Sequence, residues 1–190
     1  MKIIAYSELL QNGMDISYQD LLLTFEWRKK RSEIIERDKK RCTKCHFLET
    51  HGHKSSETGD YSYMTDDGTQ EQVTLTNNEG QIVTESIPSF VVTDRPYFLQ
   101  VHHKFYVYNL LPWKYHDTAL VTLCNWCHNE VHQNETIIIY LDETLQKFED
   151  LTPCKRCNGT GSFPEYKHVH SGICFECNGA RFTKALFSRR

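Results

Sequence analysis

Apolar positions change their period several times along the chain, and each change predicts an element. In residues 17–40, SYQDLLLTFEWRKKRSEIIERDKK, the apolar Leu22, Leu23, Trp27, Ile34 and Ile35 recur among charges, which predicts one or two amphipathic helices. The opening Ser17-x-x-Asp20 is a capping signal, because each side chain can satisfy the other's exposed backbone N–H. Further on, VTLT and QIVTES flank Asn77-Asn78-Glu79-Gly80 and predict a β-hairpin with a four-residue turn. SFVVTD then predicts a third extended stretch. Residues 97–108, YFLQVHHKFYVY, alternate and are rich in β-branched and aromatic side chains, so they are expected to be extended, with His102 and His103 in mid-strand or at a tight bend. A loop begins at Pro112-Trp113. The segment ALVTLCNWCHNEVH passes from an apolar run into a short helix, and TIIIYL is followed by a polar, helix-like stretch that ends before Pro153. The mixture predicts an α+β chain in two parts. Residues 1–150 form one domain with N-terminal helices and a β-rich insert at about 46–96, and residues 151–190 form a small module.

Composition says that such a domain is thinly cored. Apolar residues make up 39% of the chain, below the usual share for a globular domain, so something besides burial is expected to help hold it. The 22 Lys and Arg against 25 Asp and Glu leave a formal charge of −3, which excludes a uniformly basic, non-specific nucleic-acid coat. Any anion-binding face must be local. Arg28 to Arg31 and Lys39 to Arg41 supply the one basic stretch near the N-terminus, for which a solvated helix face is the plainer explanation. Between His46 and Asp94 there are nine acidic residues and one basic, Lys54, so this insert is not expected to face nucleic acid. No apolar run approaches a membrane span, and MKIIAYSELLQNG lacks the pattern of a secretory signal. A cytoplasmic protein without membrane association is expected.

All eight cysteines fall into four C-x-x-C pairs: Cys42/Cys45, Cys124/Cys127, Cys154/Cys157 and Cys174/Cys177. Two thiolates three residues apart can turn onto one ion, and two such knuckles complete the four-sulfur tetrahedron that zinc prefers. Two structural zinc ions are therefore expected, in preference to a disulfide framework or a redox C-x-x-C. Four knuckles allow three pairings. Proximity joins Cys154/Cys157 to Cys174/Cys177, which are 16 residues apart, and leaves Cys42/Cys45 with Cys124/Cys127 across 78 residues. Zinc binding would then be folding energy that offsets the thin core.

Four of the ten histidines form a second pattern: His102-His103, 24 intervening residues, then His128-x-x-x-His132. Imidazoles at i and i+4 share one helix face. A third imidazole from a facing strand would make three protein ligands and leave coordination positions open for water and substrate, as in a catalytic metal site. Adjacent strand residues alternate faces, so His103 points away from His102 and is left to act as a base near neutral pH. Two plainer readings compete. One is a single finger joining His128 and His132 to Cys124 and Cys127, although His128 follows Cys127 directly, where such fingers need about twelve residues between their Cys and His pairs. The other is an incidental cluster.

Taken together, C-x-x-C at residue 42, LQVHHKFYV, PWKYHDTALVTLC and LCNWCHNEVH resemble the zinc-knuckled branch of the HNH endonucleases, from about Trp27 to His132. The His-x-x-x-His ending is similar to that of the colicin DNases. The resemblance implies a small ββα-metal unit, a β-hairpin plus helix around one divalent metal (Mg2+, Mn2+, Ni2+ or Zn2+). It implies His102, His128 and His132 as ligands of that metal and His103 as general base. It further implies hydrolysis of phosphodiester bonds in DNA, with RNA as a second possibility. Three nitrogen ligands suit zinc, nickel or manganese better than magnesium. One position departs from the family: its middle Asn, which braces the loop and orients the base, is Ala119 here, with Asp117 and Thr118 beside it as substitutes. Lys104, Arg28 and Lys29 are candidate phosphate contacts.

The C-terminal CKRCNGTGSF and CFECNGARF form a repeat that resembles the C-x-x-C-x-G-x-G units of the J-protein cysteine-rich domain. Gly159, Gly161 and Gly179 match, and Arg181 stands at the remaining glycine position. Two of that domain's four repeats are present, so chaperone activity is not implied. His168 and His170 are read as surface residues. Arg181, Lys184, Arg189 and Arg190 make the tail basic, consistent with a module that targets the protein, contacts nucleic acid or binds a protein partner. The alternative to a nuclease is a catalytically silent zinc-bound adaptor for nucleic acid or protein. A chaperone or redox module built on 151–190 alone explains nothing before residue 133.

Overall fold

A computed structural model describes residues 3–11, 16–54, 56, 59, 61–93, 95–147, 151–166, 168–182 and 187. The helical pattern of residues 17–40 resolves into two helices, α2 (Tyr18–Leu21) and α3 (Phe25–Arg37), preceded by a short α1 (Tyr6–Gln11). Ser17 and Asp20 form the expected reciprocal cap: Asp20 N–H donates to Ser17 Oγ at 3.2 Å, and Ser17 N–H donates to Asp20 Oδ2 at 2.9 Å. A second cap divides the pattern. Thr24, fully buried, accepts from Trp27 N–H at 3.3 Å and donates to the Leu21 carbonyl at 2.7 Å, so its hydroxyl both ends α2 and starts α3. Thr24→Ala is expected to cost about 1–2 kcal/mol, the usual worth of a cap in a site that water cannot repair. Urea unfolding checks this, with Thr24→Ser close to the parent.

The next elements form a hairpin followed by a helix. Strand β4 (Leu99–His103) pairs antiparallel with β6 (Leu120–Cys124), with His102 opposite Val121 and His103 opposite Leu120. Helix α4 (Asn125–Asn134) starts at once, because the Cys124 sulfur accepts from Cys127 N–H and caps it. Between the hairpin strands lies β5 (Tyr106–Val107), parallel to β7 (Ile139–Tyr140). Helix α3 packs on the hairpin through Trp27 and Ile34, which share a cluster with Val107, Tyr115, Ala119 and Leu120. Its basic residues serve this packing: Arg31 donates to the Leu99 carbonyl at 2.6 Å, Arg37 donates to the Leu120 carbonyl at 2.9 Å, and Lys30 pairs with Asp117. Arg28 and Lys29 are exposed.

Contacts divide the chain into two units, Met1–His46 with Leu99–Arg190, and Phe47–Phe98. The boundary expected at residue 150 is not where this division falls. Leu151, Phe182 and Phe187 share one buried cluster with Ile16, Tyr18, Leu21, Tyr106 and Ile139. The physical reason is size: a module this small buries too little apolar surface by itself, so its aromatic residues complete the larger core. The polar stretch after TIIIYL forms turns over residues 141–147 instead of a helix, with Asp142 Oδ1 accepting from Thr144 N–H at 2.9 Å. Asp side chains that bond their own backbone in this way favour turns. Residues 148–150 of that expected helix lie outside the described residues, as do Lys184, Arg189 and Arg190 of the basic tail.

The second unit is the β-rich insert, a three-stranded antiparallel sheet in the order β1 (His51–Lys54), β2 (Tyr61–Thr76), β3 (Ile82–Thr93). The predicted hairpin is present, with Asn77 N–H donating to the Gln81 carbonyl and Gly80 at φ +77°, a conformation that glycine adopts without strain. Residues 89–93 of SFVVTD are the last part of β3 and not a separate strand, and Asp94 lies outside the described residues. Pro88 does not break the ladder because it pairs with Gln70 where the register shifts between Asp66 and Gln70, and such irregularities tolerate the missing N–H. Among the described residues no helix is long and apolar enough to cross a membrane.

Candidate metal centres

Two four-cysteine clusters form as proximity predicts. Cys42, Cys45, Cys124 and Cys127 converge, as do Cys154, Cys157, Cys174 and Cys177, with all sulfurs of each set within 4.8 Å of one another. Sulfur pairs stand 3.7 Å apart (Cys45–Cys124), 3.9 Å (Cys154–Cys174) and 3.7 Å (Cys157–Cys177). These are not disulfides. Zn–S bonds of about 2.3 Å in a tetrahedron give sulfur–sulfur edges of about 3.8 Å, so the spacing fits an ion at the centre of each cluster. Both clusters can hold zinc. Burial resists ionisation of Cys42, but backbone N–H groups of Cys45, Cys124 and Lys44 bonded to its sulfur bring its pKa down to about 7. The first knuckle is tied to the hairpin by Thr43 N–H, which donates to the Thr122 carbonyl at 2.9 Å.

The third group is His102, His128 and His132, again with donor atoms within 4.8 Å of one another. His102 projects from β4 and the other two from successive turns of α4, and the rings meet with centroids 5.2, 5.0 and 4.6 Å apart. Nδ1 of His102 and Nε2 of His132 are buried and have no hydrogen-bond partner among the described residues. Orphaned ring nitrogens in a closed site are what ligation would satisfy, and the all-nitrogen donor set fits a divalent transition metal better than a hard, oxygen-seeking ion. The carbonyl of Asn158 engages the His132 ring, the outer-shell contact that orients a ligating imidazole. Neither His128 nor His132 joins the Cys124/Cys127 cluster, so the single-finger alternative is not what forms.

All three rings are held neutral. Burial, then the Arg181 charge, pushes His102 down to about 4. Burial, then His102 and Arg181, pushes His132 down to about 3. His128 is driven well below the ordinary imidazole value, by burial first and by its partners next. Unfolded imidazoles gain protons near pH 6.5, whereas these do not until the pH is far lower, so their contribution to folding stability is constant above about pH 7 and falls as the pH drops from about 6.5 toward 4. Each imidazole adds a slope of up to about 1.4 kcal/mol per pH unit over that window, and protons competing for the ligands act in the same direction. Urea midpoints at pH 7.5 and pH 5 check this. Equal midpoints would show that the rings are not sequestered.

His103 is placed differently from the expectation. It is 3% exposed, stacked against Trp27 (centroids 5.2 Å, 20°) and Tyr106 (5.2 Å, 25°), with Tyr115 edge-on at 4.7 Å. Its Nε2 meets the Tyr18 hydroxyl at 3.3 Å, and the Pro112 carbonyl engages the ring. Burial, ahead of Arg181 and His102, sets its pKa well below the ordinary value. Strand alternation does turn it away from His102, but the opposite face of the hairpin is the core under α3 and not a solvent-facing site. A general base must reach the proton it takes, and in this arrangement aromatic rings wall His103 off. Ala119 is buried in the cluster that holds Trp27; of the two residues before it, Asp117 pairs with Lys30 and Thr118 bonds His116 at 2.8 Å. The Pro112 carbonyl and the Tyr18 hydroxyl orient the His103 ring. Lys104 is exposed and donates to the Thr118 carbonyl at 2.8 Å, a loop-bracing role.

Residues that sequence reasoning did not place near these histidines are Tyr18, Trp27, Tyr106, Tyr115 and Arg181. The aromatic share of the chain hinted at such a wall, but no spacing rule locates it. The three imidazoles of the cluster are themselves 4–7% exposed, and Asn158 and Gly159 of the C-terminal module lie against His132. Comparison of the chain with protein-family models, curated proteins and solved structures gives no match.

Proposed function

We propose that the protein is a metal-dependent phosphodiesterase of the HNH type acting on nucleic acid, DNA first, with the β4–β6 hairpin and α4 as a ββα-metal unit. The observation that carries this reading is the convergence of His102, His128 and His132 from that hairpin and helix, with ring nitrogens left unsatisfied at their meeting point. A bound divalent ion would supply charge stabilisation to a phosphoryl group. The chain's own part is to present three neutral, pre-oriented imidazoles in a water-poor pocket. Burial keeps them free of competing protons at neutral pH. The two cysteine clusters act as structural zinc sites that hold the hairpin and the C-terminal module in place.

A second reading is favoured by specific observations: the walled-in position of His103, Ala119 at the family's Asn position, and the low exposure of the triad all suit a silent zinc-bound adaptor for nucleic acid or protein. A plasmid-nicking assay with Zn2+, Mn2+, Ni2+ and Mg2+ separates the two. The nuclease reading expects metal-dependent nicking by the parent that is lost in His128→Ala. A parent that binds its ions but nicks with none of the four metals leaves the adaptor reading. His103→Gln, which preserves more of the core than alanine would, reports on the base: a 10²–10⁴-fold loss of rate is what removing one costs, whereas retained nicking assigns His103 to packing.

A further inference from the structure

The three histidines are nearly closed off from solvent, and an open cleft reaches them at His132. Its volume is about 360 Å3 with the mouth included, at the low end of what small-molecule sites enclose. One wall is α4, where Asn129, His132 and Gln133 line the cleft as an i, i+3, i+4 stripe on one helix face. The other wall is the first knuckle of the C-terminal module and the chain after it, through Arg156, Thr160 and Phe163. Gly159 sets the two walls together. It turns the chain at φ +82°, and a Cβ built on it would lie 3.5 Å from His132 Nδ1.

The two copies of the C-terminal repeat differ in the residues that matter here. Between its cysteines the copy that faces His132 carries Lys155-Arg156, where the other carries Phe175-Glu176. Positive charge is therefore placed on the knuckle beside the three imidazoles, and the knuckle whose Gly179 lies against the Gln19 side chain has none. Arg156 is exposed, and among the described residues no carboxylate pairs with it. The Glu165 carboxylate also lines the cleft and would oppose an anion there.

We infer that this cleft is where a nucleic-acid strand enters the His102/His128/His132 centre, with Arg156 of the C-terminal zinc module as its phosphate contact. An unpaired guanidinium matches the paired oxygens of a phosphodiester. The half-buried Phe163 supplies an aromatic surface of the kind on which bases stack, and the amides of Asn129 and Gln133 supply donors and acceptors for sugar or base edges. The module then forms half of the binding site. This inference rests on the metal-centre reading above and deepens it by naming the residues that hold the strand.

Fluorescence anisotropy of a labelled single-stranded oligothymidylate, titrated with the zinc-loaded full chain, tests it without using activity. The parent is expected to bind, and Arg156→Glu to bind about tenfold or more weakly, the scale of a lost hydrogen bond to a charged group. Lys155→Glu makes the same charge change one residue away, outside the cleft lining, and is expected to stay within twofold of the parent. Glu165→Gln removes the opposing carboxylate and is expected to bind more tightly. A parent that does not bind, an Arg156→Glu chain within twofold of it, or equal losses in Arg156→Glu and Lys155→Glu overturns the inference. So does Arg156-dependent binding of inorganic phosphate, read by calorimetry, without binding of the strand. Should Arg156→Glu lose zinc, Glu165→Gln decides, since it lies outside both knuckles: affinity no tighter than the parent's overturns the assignment. Arg156-dependent binding without nicking sinks the nuclease and leaves this inference standing, whereas nicking with Arg156-independent binding does the reverse.

Discussion

Cys42→Ser is expected to abolish cooperative unfolding of the unit formed by residues 1–46 and 99–190. Cys42 is fully buried, and its cluster joins two segments separated by 78 residues. A zinc ion in that cluster would offset the closing of a loop of that length, since zinc contributes about 10–16 kcal/mol in finger peptides, where a whole domain is stable by about 5–15. The knuckle also seats Thr43 on the Thr122 carbonyl and so fixes the edge of the β4–β6 hairpin. Serine is a poor zinc ligand and leaves an open cluster. Near-UV circular dichroism during heating reads the result, and a transition within a few degrees of the parent would show that the cluster is dispensable. Chelation of the parent should reproduce the variant.

His128→Ala is expected to lower the metal content of the purified chain from three ions to two and to reduce any nicking by at least about 100-fold, the scale on which a metal centre contributes. His128 would be one of the three ligands, with its ring 5.2 Å from His102 and 4.6 Å from His132. Two remaining imidazoles make a weak site. Both cysteine clusters are untouched, so the fold should survive, and the two structural ions serve as an internal count. Elemental analysis after gel filtration measures the ratio. Three ions in the variant would mean that the imidazoles do not hold one, and two in the parent would mean the same.

The parts that were legible beforehand are those carried by local spacing. Ser17 and Asp20 are three apart and cap α2, His128 and His132 are four apart and share a face of α4, and the short gap between Cys157 and Cys174 selects the observed pairing. The Asn77–Gly80 turn belongs to this group as well. The parts misplaced are those that depend on what lies across a gap in sequence. Alternation along β4 correctly separates His102 from His103, but it is silent on what covers each side, and His103 meets Trp27 and Tyr106 where an imidazole left to act as a base near neutral pH was expected. The boundary expected at residue 150 does not show the core that the module shares, for a related reason: Leu151, Phe182 and Phe187 cluster with Tyr18 and Tyr106, which lie far away in sequence.

Taken alone, the order of residues determines that this chain carries two four-sulfur clusters and a set of imidazoles suited to a metal, because a ligand's chemistry and its spacing from a neighbour are properties of short segments. Which imidazoles gather and which one enters the core, and that an arginine from the far end of the chain meets Tyr106 there, were decided only by tertiary packing. Burial, charge pairing and access to water depend on surfaces brought together from 75 to 85 residues away, and no period along the backbone encodes them.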